Sequence, residues 1–195
     1  MIILASQSPR RQELLKLTGL PFIVRAADVD ETMDKSLPVR QEVARVSRLK
    51  AQTIAACASP EDLVIAADTI VVIDGRELGK PHSEEEALDM LRLLSGRTHE
   101  VVTALSVCRG ARIESESVVT QVTFRSLCEA ELRAYAKTGE PMDKAGSYGV
   151  QGYGSMFVSR IEGDYFSVMG LPLCPLCRML RAFGVRILDV QEAQA

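Results

Sequence analysis

Ser6-Gln7-Ser8-Pro9-Arg10-Arg11 follows a short apolar run and leads into a helical pattern. A helix N-terminus presents unpaired N–H groups and partial positive charge, which together make an anion site. Acidic side chains ordinarily favour that first turn, so two arginines there oppose the dipole. A bound phosphate would resolve the conflict. A plain Ser8 cap with solvent-exposed arginines explains the same residues, and spacing alone leaves the two readings level.

Three further constellations could carry chemistry. Asp68-Thr69 ends the apolar run Leu63-Val64-Ile65-Ala66-Ala67, and a carboxylate at the mouth of a buried strand is where α/β sheets place ligands and metals. Gly79-Lys80-Pro81 offers a lysine that could meet phosphate. Asp28-Val29-Asp30-Glu31 is a carboxylate cluster of the kind hard divalent cations accept, although a solvated acidic turn is the commoner explanation.

Other chemistries lack their motifs. There is no G-x-x-x-x-G-K-[ST] for a P-loop, and the glycines at 149, 152 and 154 are wrongly spaced for a dinucleotide fingerprint. With two histidines and no G-x-S-x-G, a Ser-His-Asp hydrolase has no support. Cys174-Pro175-Leu176-Cys177 has redox spacing, but the flanking leucines make buried core cysteines at a helix start the better expectation.

The elements that must position these residues follow from periodicity. Strands are predicted at residues 2–5, 22–24, 63–67 and 70–73, with Asp74-Gly75 as a tight turn. Helices are predicted from Pro9 to a stop at Gly19, over about 38–58, from a Ser83 capping box to Leu94, over 129–137 and over 173–183. Two long strands are expected at 100–108 and 113–124, a hairpin of 156–161 with 165–168 about Gly163, and a last strand at 185–188. Residues 141–154 hold five Gly or Pro in fourteen positions and read as a functional loop. Early alternation with later hairpins favours an α/β protein with a mixed sheet.

The chain has 195 residues, 47% hydrophobic and 25% charged, enough for a core without disulfide or metal staples. Its net charge of −3 argues against a surface that coats nucleic acid. Residues 1–50 nevertheless hold nine Lys/Arg against six Asp/Glu, so they carry +3 and the remainder −6. No apolar run approaches a membrane span, the first residues do not read as a secretory signal, and five cysteines do not read as a disulfide framework. Cytoplasmic residence is expected.

Taken together, the motifs resemble the Maf family of nucleoside triphosphate pyrophosphatases over almost the whole chain. The resemblance is carried by Leu4-Ala5-Ser6-Gln7-Ser8-Pro9-Arg10-Arg11, Val29-Asp30-Glu31, Lys50-Ala51, Ala67-Asp68-Thr69, Gly79-Lys80-Pro81, Leu94-Ser95-Gly96, Asp143-Lys144-Ala145-Gly146 with Tyr148-Gly149-Val150-Gln151-Gly152, and Val168-Met169-Gly170-Leu171-Pro172. It implies one domain over residues 1–195, with a mixed, elongated sheet and flanking helices. Two lobes around a central cleft are expected, similar to inosine-triphosphate pyrophosphatases. It also implies hydrolysis of a nucleoside triphosphate to monophosphate and pyrophosphate with a divalent cation, Mg²⁺ or alternatively Mn²⁺ or Co²⁺. By position, Asp68 would be the catalytic carboxylate, and Ser6, Arg11, Lys50 and Lys80 would hold the triphosphate. Glu31 and Asp68 would be the metal-side carboxylates.

The resemblance narrows the substrate at three positions. Members selective for dTTP and UTP are similar to this chain in having Arg10, Thr69 and Gln151, whereas a sister group preferring 7-methyl-GTP has Trp, Gln and Glu there. A glutamine amide can both donate and accept toward a uracil-type edge, and a glutamate only accepts. CTP and modified pyrimidine nucleotides are further expectations from the resemblance, as are a homodimer and a part in restraining septum formation.

Overall fold

A computed structural model describes residues 1–187 except 33 and 35. The leucine predicted to end the last strand lies outside them, and Val185, Arg186 and Ile187 are not in a strand.

The chain begins with β1 (Ile2–Leu4), α1 (Pro9–Lys16), β2 (Phe22–Val24) and α2 (Val39–Ala55). It continues with β3 (Leu63–Ile73), β4 (Arg76–Leu78), α3 (Glu84–Leu94), β5 (Thr98–Arg109), β6 (Arg112–Phe124) and α4 (Glu129–Ala136). Three short 3₁₀ turns, Glu140–Asp143, Ala145–Ser147 and Tyr153–Phe157, lead to β7 (Val158–Glu162), α5 (Tyr165–Met169) and α6 (Leu173–Ala182).

Among the described residues the seven strands form one mixed sheet of order β2-β1-β3-β5-β6-β7, with β4 paired to β3. The pairs of β1 with β2 and with β3 are parallel, and every other pair is antiparallel. Asp74 and Gly75 turn β3 into β4 with φ of 49° and 73°, the paired positive φ of a type I′ turn. The expected mixed α/β architecture is therefore the one observed.

Alternation along β3 sets the two faces of the sheet. Val64, Ala66 and Ile70 pack under α2 with Ala51, Ile54 and Val43. On the other face, Leu63, Ile65 and Ala67 join Leu14, Leu15, Leu105 and Leu176 in one cluster. Val71 and Ile73 join Leu88, Leu91, Phe124 and Tyr148 in another. Asp68 consequently belongs to the α2 face, and Thr69 to the opposite one.

Sequence periodicity divided β3 in two at Asp68-Thr69. The strand instead runs unbroken, paired to β5 from Val64 to Val72. Its other edge is the divided one. β1 pairs with Leu63 to Ile65 and then leaves the sheet, and β4 pairs only from Val71. Among the described residues, 66–70 have no strand neighbour on that side, which leaves an opening in the sheet centred on Asp68.

Two further expectations are corrected. Residues 165–168 lie in helix α5, not in a hairpin strand, because Asp164 caps it by accepting from the Phe166 and Ser167 amides at 2.7 and 3.1 Å. Short apolar runs do not distinguish strand from helix, and this cap decides the matter. Cys174 is exposed and Cys177 half-buried, so neither is the expected core cysteine. The buried stripe of α6 is Pro175, Leu176, Met179 and Leu180, and both cysteines lie off it.

Candidate active site

On the α2 face, Val43, Val46, Ser47, Lys50, Ala51 and Ile54 form the buried stripe of the helix. A lysine within such a stripe needs a counter-charge. Lys50, 6% exposed, finds two: its Nζ lies 2.7 Å from Asp68 Oδ1 and 2.9 Å from Glu31 Oε1.

Glu31 lies in the irregular segment between β2 and α2. Glu42, fully buried on α2, accepts from the Asp34 amide at 2.8 Å and pairs with Arg45, whose Nη2 donates to the Thr32 carbonyl at 3.0 Å. These contacts tie the Glu31 segment to the helix that carries Lys50. The Arg45 hydrogen bonds hold the Glu42 carboxyl below its usual value despite its burial.

Arg11 organises the opposite face. It donates from Nε to the Gly170 carbonyl at 2.8 Å, from Nη1 to Ser6 Oγ at 3.3 Å and from Nη2 to Thr69 Oγ1 at 3.1 Å. Gly170, with φ of 106°, turns the chain out of α5; a Cβ there would lie 3.3 Å from Arg11 Nε. Burial pushes the guanidinium below its usual value, Asp68 and Glu31 oppose that shift, and Arg10 reinforces it. Its hydrogen bonds end on a carbonyl and two hydroxyls rather than on a carboxylate, so a cation desolvated there favours an incoming anion.

Ser8 occupies the N-cap position of α1, but its side chain makes no capping hydrogen bond. Its amide instead donates to Ser6 Oγ at 3.2 Å. The first turn holds no acidic residue, so the dipole conflict noted in the sequence persists in the fold.

Arg10 Nη1 donates to Asp143 Oδ2 at 2.9 Å and links α1 to the 140–154 segment. That segment lies against β3: the Gly146 amide donates to the Gly79 carbonyl at 3.1 Å, and a Cβ on Gly146 would meet Val71 at 2.7 Å. Val150 packs against the cluster that contains Ala67.

Two hydrogen-bonded sets thus flank the opening in β3: Lys50, Asp68 and Glu31 on one face, Ser6, Arg11 and Thr69 on the other. Lys80 and Gln151 are exposed, and among the described residues no ion pair or hydrogen bond joins either side chain to those sets. The sequence did not single out roles for Asp143, Gly170 or Thr103. Asp143 and Gly170 lie within the motifs that carry the resemblance, and the signal for Thr103 is a hydroxyl inside the buried run Val101-Val102-Thr103-Ala104-Leu105.

Two carboxylate oxygens drawn to one cationic centre fit a hard divalent ion, since Mg²⁺ commonly takes one or two protein carboxylates and completes its shell with water and substrate phosphate. The exposed Glu31 leaves room for those further ligands.

The chain matches the Maf-like protein family over residues 1–183. A dTTP/UTP pyrophosphatase of Bacillus pumilus is 48% identical over 184 residues, covering 94% of this chain and 97% of that protein. Proteins of the same name from Bacillus velezensis and Desulforamulus reducens are 46% and 49% identical, each covering 95% of this chain and at least 97% of its own length. Among solved structures, the Staphylococcus aureus Ham1 protein aligns with a TM-score of 0.42 and 17% identity, over 63% of this chain and 71% of that one. From the family match and these relatives, the chain belongs to the Maf family.

Proposed function

We propose that the protein hydrolyses dTTP and UTP to the nucleoside monophosphate and pyrophosphate. The observation that carries this reading is the pairing of Lys50 with both Asp68 and Glu31 beside the stretch of β3 that, among the described residues, lacks a strand neighbour on one edge. The names of relatives at 46–49% identity support the choice of nucleotide. In this reading residues 1–195 act as one unit, two lobes meeting at that opening.

A triphosphate carries close to four negative charges, so catalysis is largely positioning and charge neutralisation. Ser6, Arg11 and the free amides of α1 bind phosphate oxygens, with Lys80 from the loop after β4. Lys50 moves its ammonium from Asp68 to the substrate, which frees Asp68 Oδ1. Asp68 then accepts a proton from the water that attacks the α-phosphorus. The α–β bridging P–O bond breaks, and the pyrophosphate leaves with its charge shared among Lys50, Lys80 and Arg11. A divalent cation held by Asp68 and Glu31 would supply charge neutralisation on the phosphates and lower the pKa of bound water. Arg10, Thr69 and Gln151 set base selection.

Removal of surplus or modified pyrimidine nucleotides, CTP included, from a cytoplasmic pool is the corresponding role. A substrate panel tests the reading. dTTP and UTP should give the highest kcat/KM; 7-methyl-GTP as the best substrate would overturn it.

A further inference from the structure

The Glu140 carboxylate is enclosed by the backbone that carries Gln151. Its Oε2 accepts from the Tyr153 amide at 2.8 Å, and its Oε1 from the Gly154 amide at 3.1 Å and the Tyr135 hydroxyl at 3.0 Å. Tyr135, 4% exposed and stacked edge-on against Phe157, also accepts from the Gly149 amide at 3.1 Å. Burial raises the phenol well above its usual value, so it stays protonated as the donor to Glu140.

This arrangement explains the glycines whose spacing fits no nucleotide-binding fingerprint. A Cβ on Gly152 would stand 2.2 Å from Glu140 Oε2, one on Gly149 2.6 Å from Lys144 Cε, and one on Gly154 2.7 Å from the Gly149 carbonyl. The backbone can close around the carboxylate only where side chains are absent. Lys144 Nζ donates to the Glu140 carbonyl at 2.7 Å and fixes the other side of the turn. Residues 149–154 are therefore bound at both ends, with the exposed Gln151 between them.

We propose that Glu140, with Tyr135, is a specificity-determining positioning residue that fixes residues 149–154 so that the Gln151 amide meets the nucleobase in one orientation. This rests on the reading of Gln151 as the base-contacting residue. Glu140 itself does not touch substrate. An amide at position 140 keeps the volume but offers only one oxygen to three donors.

The test uses the full-length enzyme as wild type, Gln151→Ala, Glu140→Gln and the double variant, with dTTP and dGTP as substrates and inorganic tripolyphosphate as a competitive inhibitor without a base. Glu140→Gln should reduce the dTTP to dGTP ratio of kcat/KM by about 100-fold, the scale of a misplaced contact group. The tripolyphosphate inhibition constant should stay at its wild-type value. The double variant should be no worse than the poorer single one, as for residues acting through one another. Tyr135→Phe, which keeps the ring in its cluster, should shift the ratio in the same direction and serves if Glu140→Gln does not fold. A folded Glu140→Gln enzyme with wild-type discrimination would overturn the proposal, as would equal loss of tripolyphosphate binding. Gln151→Ala with unchanged discrimination would instead overturn the underlying reading of the base site.

Discussion

Lys50 Nζ lies 2.7 Å from Asp68 Oδ1 and 2.9 Å from Glu31 Oε1, so a single ammonium spans both carboxylates beside the open edge of β3. The lysine is buried and Glu31 is exposed. Access to the cluster is thus from the Glu31 side.

Asp68→Asn keeps an oxygen for Lys50 and removes the proton acceptor. Turnover should fall by roughly 10²- to 10⁴-fold, the usual worth of a positioned acid or base. Urea unfolding should remain cooperative and close to wild type. Steady-state rates and an unfolding curve on one preparation check both points; retained turnover would remove Asp68 from proton transfer.

Thr103 should act on phosphate binding without touching it. Its Oγ1 donates to the Ser167 carbonyl at 2.7 Å, so across the 2.9 Å contact with Thr69 it must accept. Thr69 therefore spends its proton on Thr103 and turns a lone pair to Arg11 Nη2. Thr103→Val removes that order and one of two hydrogen bonds to the Ser167 carbonyl, which keeps the Gly170 amide at 3.0 Å, at a stability cost of about 0.5–1.5 kcal/mol. KM should rise about tenfold, ~1.4 kcal/mol of binding, with kcat less affected. Thr103→Ser should restore both.

Arg10 and Asp143 join α1 to the 140–154 segment through an exposed pair. Such pairs contribute about 0–1 kcal/mol, so Asp143→Asn should barely change the melting temperature. It weakens the hold on Arg10, whose Nη2 keeps the residue 143 carbonyl at 3.3 Å, and the KM for dTTP should change and become more sensitive to salt. A large loss of melting temperature with unchanged kinetics would mark the pair as structural only.

His99 gives the fold a specific acid sensitivity. It is 2% exposed, with Nε2 2.8 Å from the Tyr148 hydroxyl and Nδ1 without a partner among the described residues. Burial lowers it from 6.5 to about 4. The unfolded chain binds more protons between those values, so stability is full above the unfolded pKa and falls as pH drops toward the folded one. Going from about pH 7.5 to about pH 5 should cost on the order of 2 kcal/mol in urea unfolding. His99→Gln, which cannot titrate, should flatten that slope; an unchanged slope would assign it to other groups.

The Ser6 to Arg11 motif was legible because arginines at a helix N-terminus contradict the dipole, and the fold keeps that contradiction beside Asp68. Lys50 was reached through family resemblance and Glu31 first as one of a carboxylate cluster, and neither spacing nor periodicity brings them to Asp68. The continuity of β3 was hidden because Asp68 and Thr69 look like a break until Lys50 and Thr103 are seen to satisfy them. Asp164 as the cap of α5, and Glu140 as the centre of the 149–154 turn, depend on amide positions that a residue pattern does not display. The contact of Arg11 with Gly170 joins chain segments 159 residues apart, and only the folded topology brings them together.

The central claim is cleavage between the α- and β-phosphates at the Asp68 site. Phosphorus NMR of the products from dTTP and Mg²⁺ tests it most directly, with Asp68→Asn as the control. dTMP and pyrophosphate in equal amounts, absent from the control, are the predicted result; dTDP with orthophosphate would contradict it.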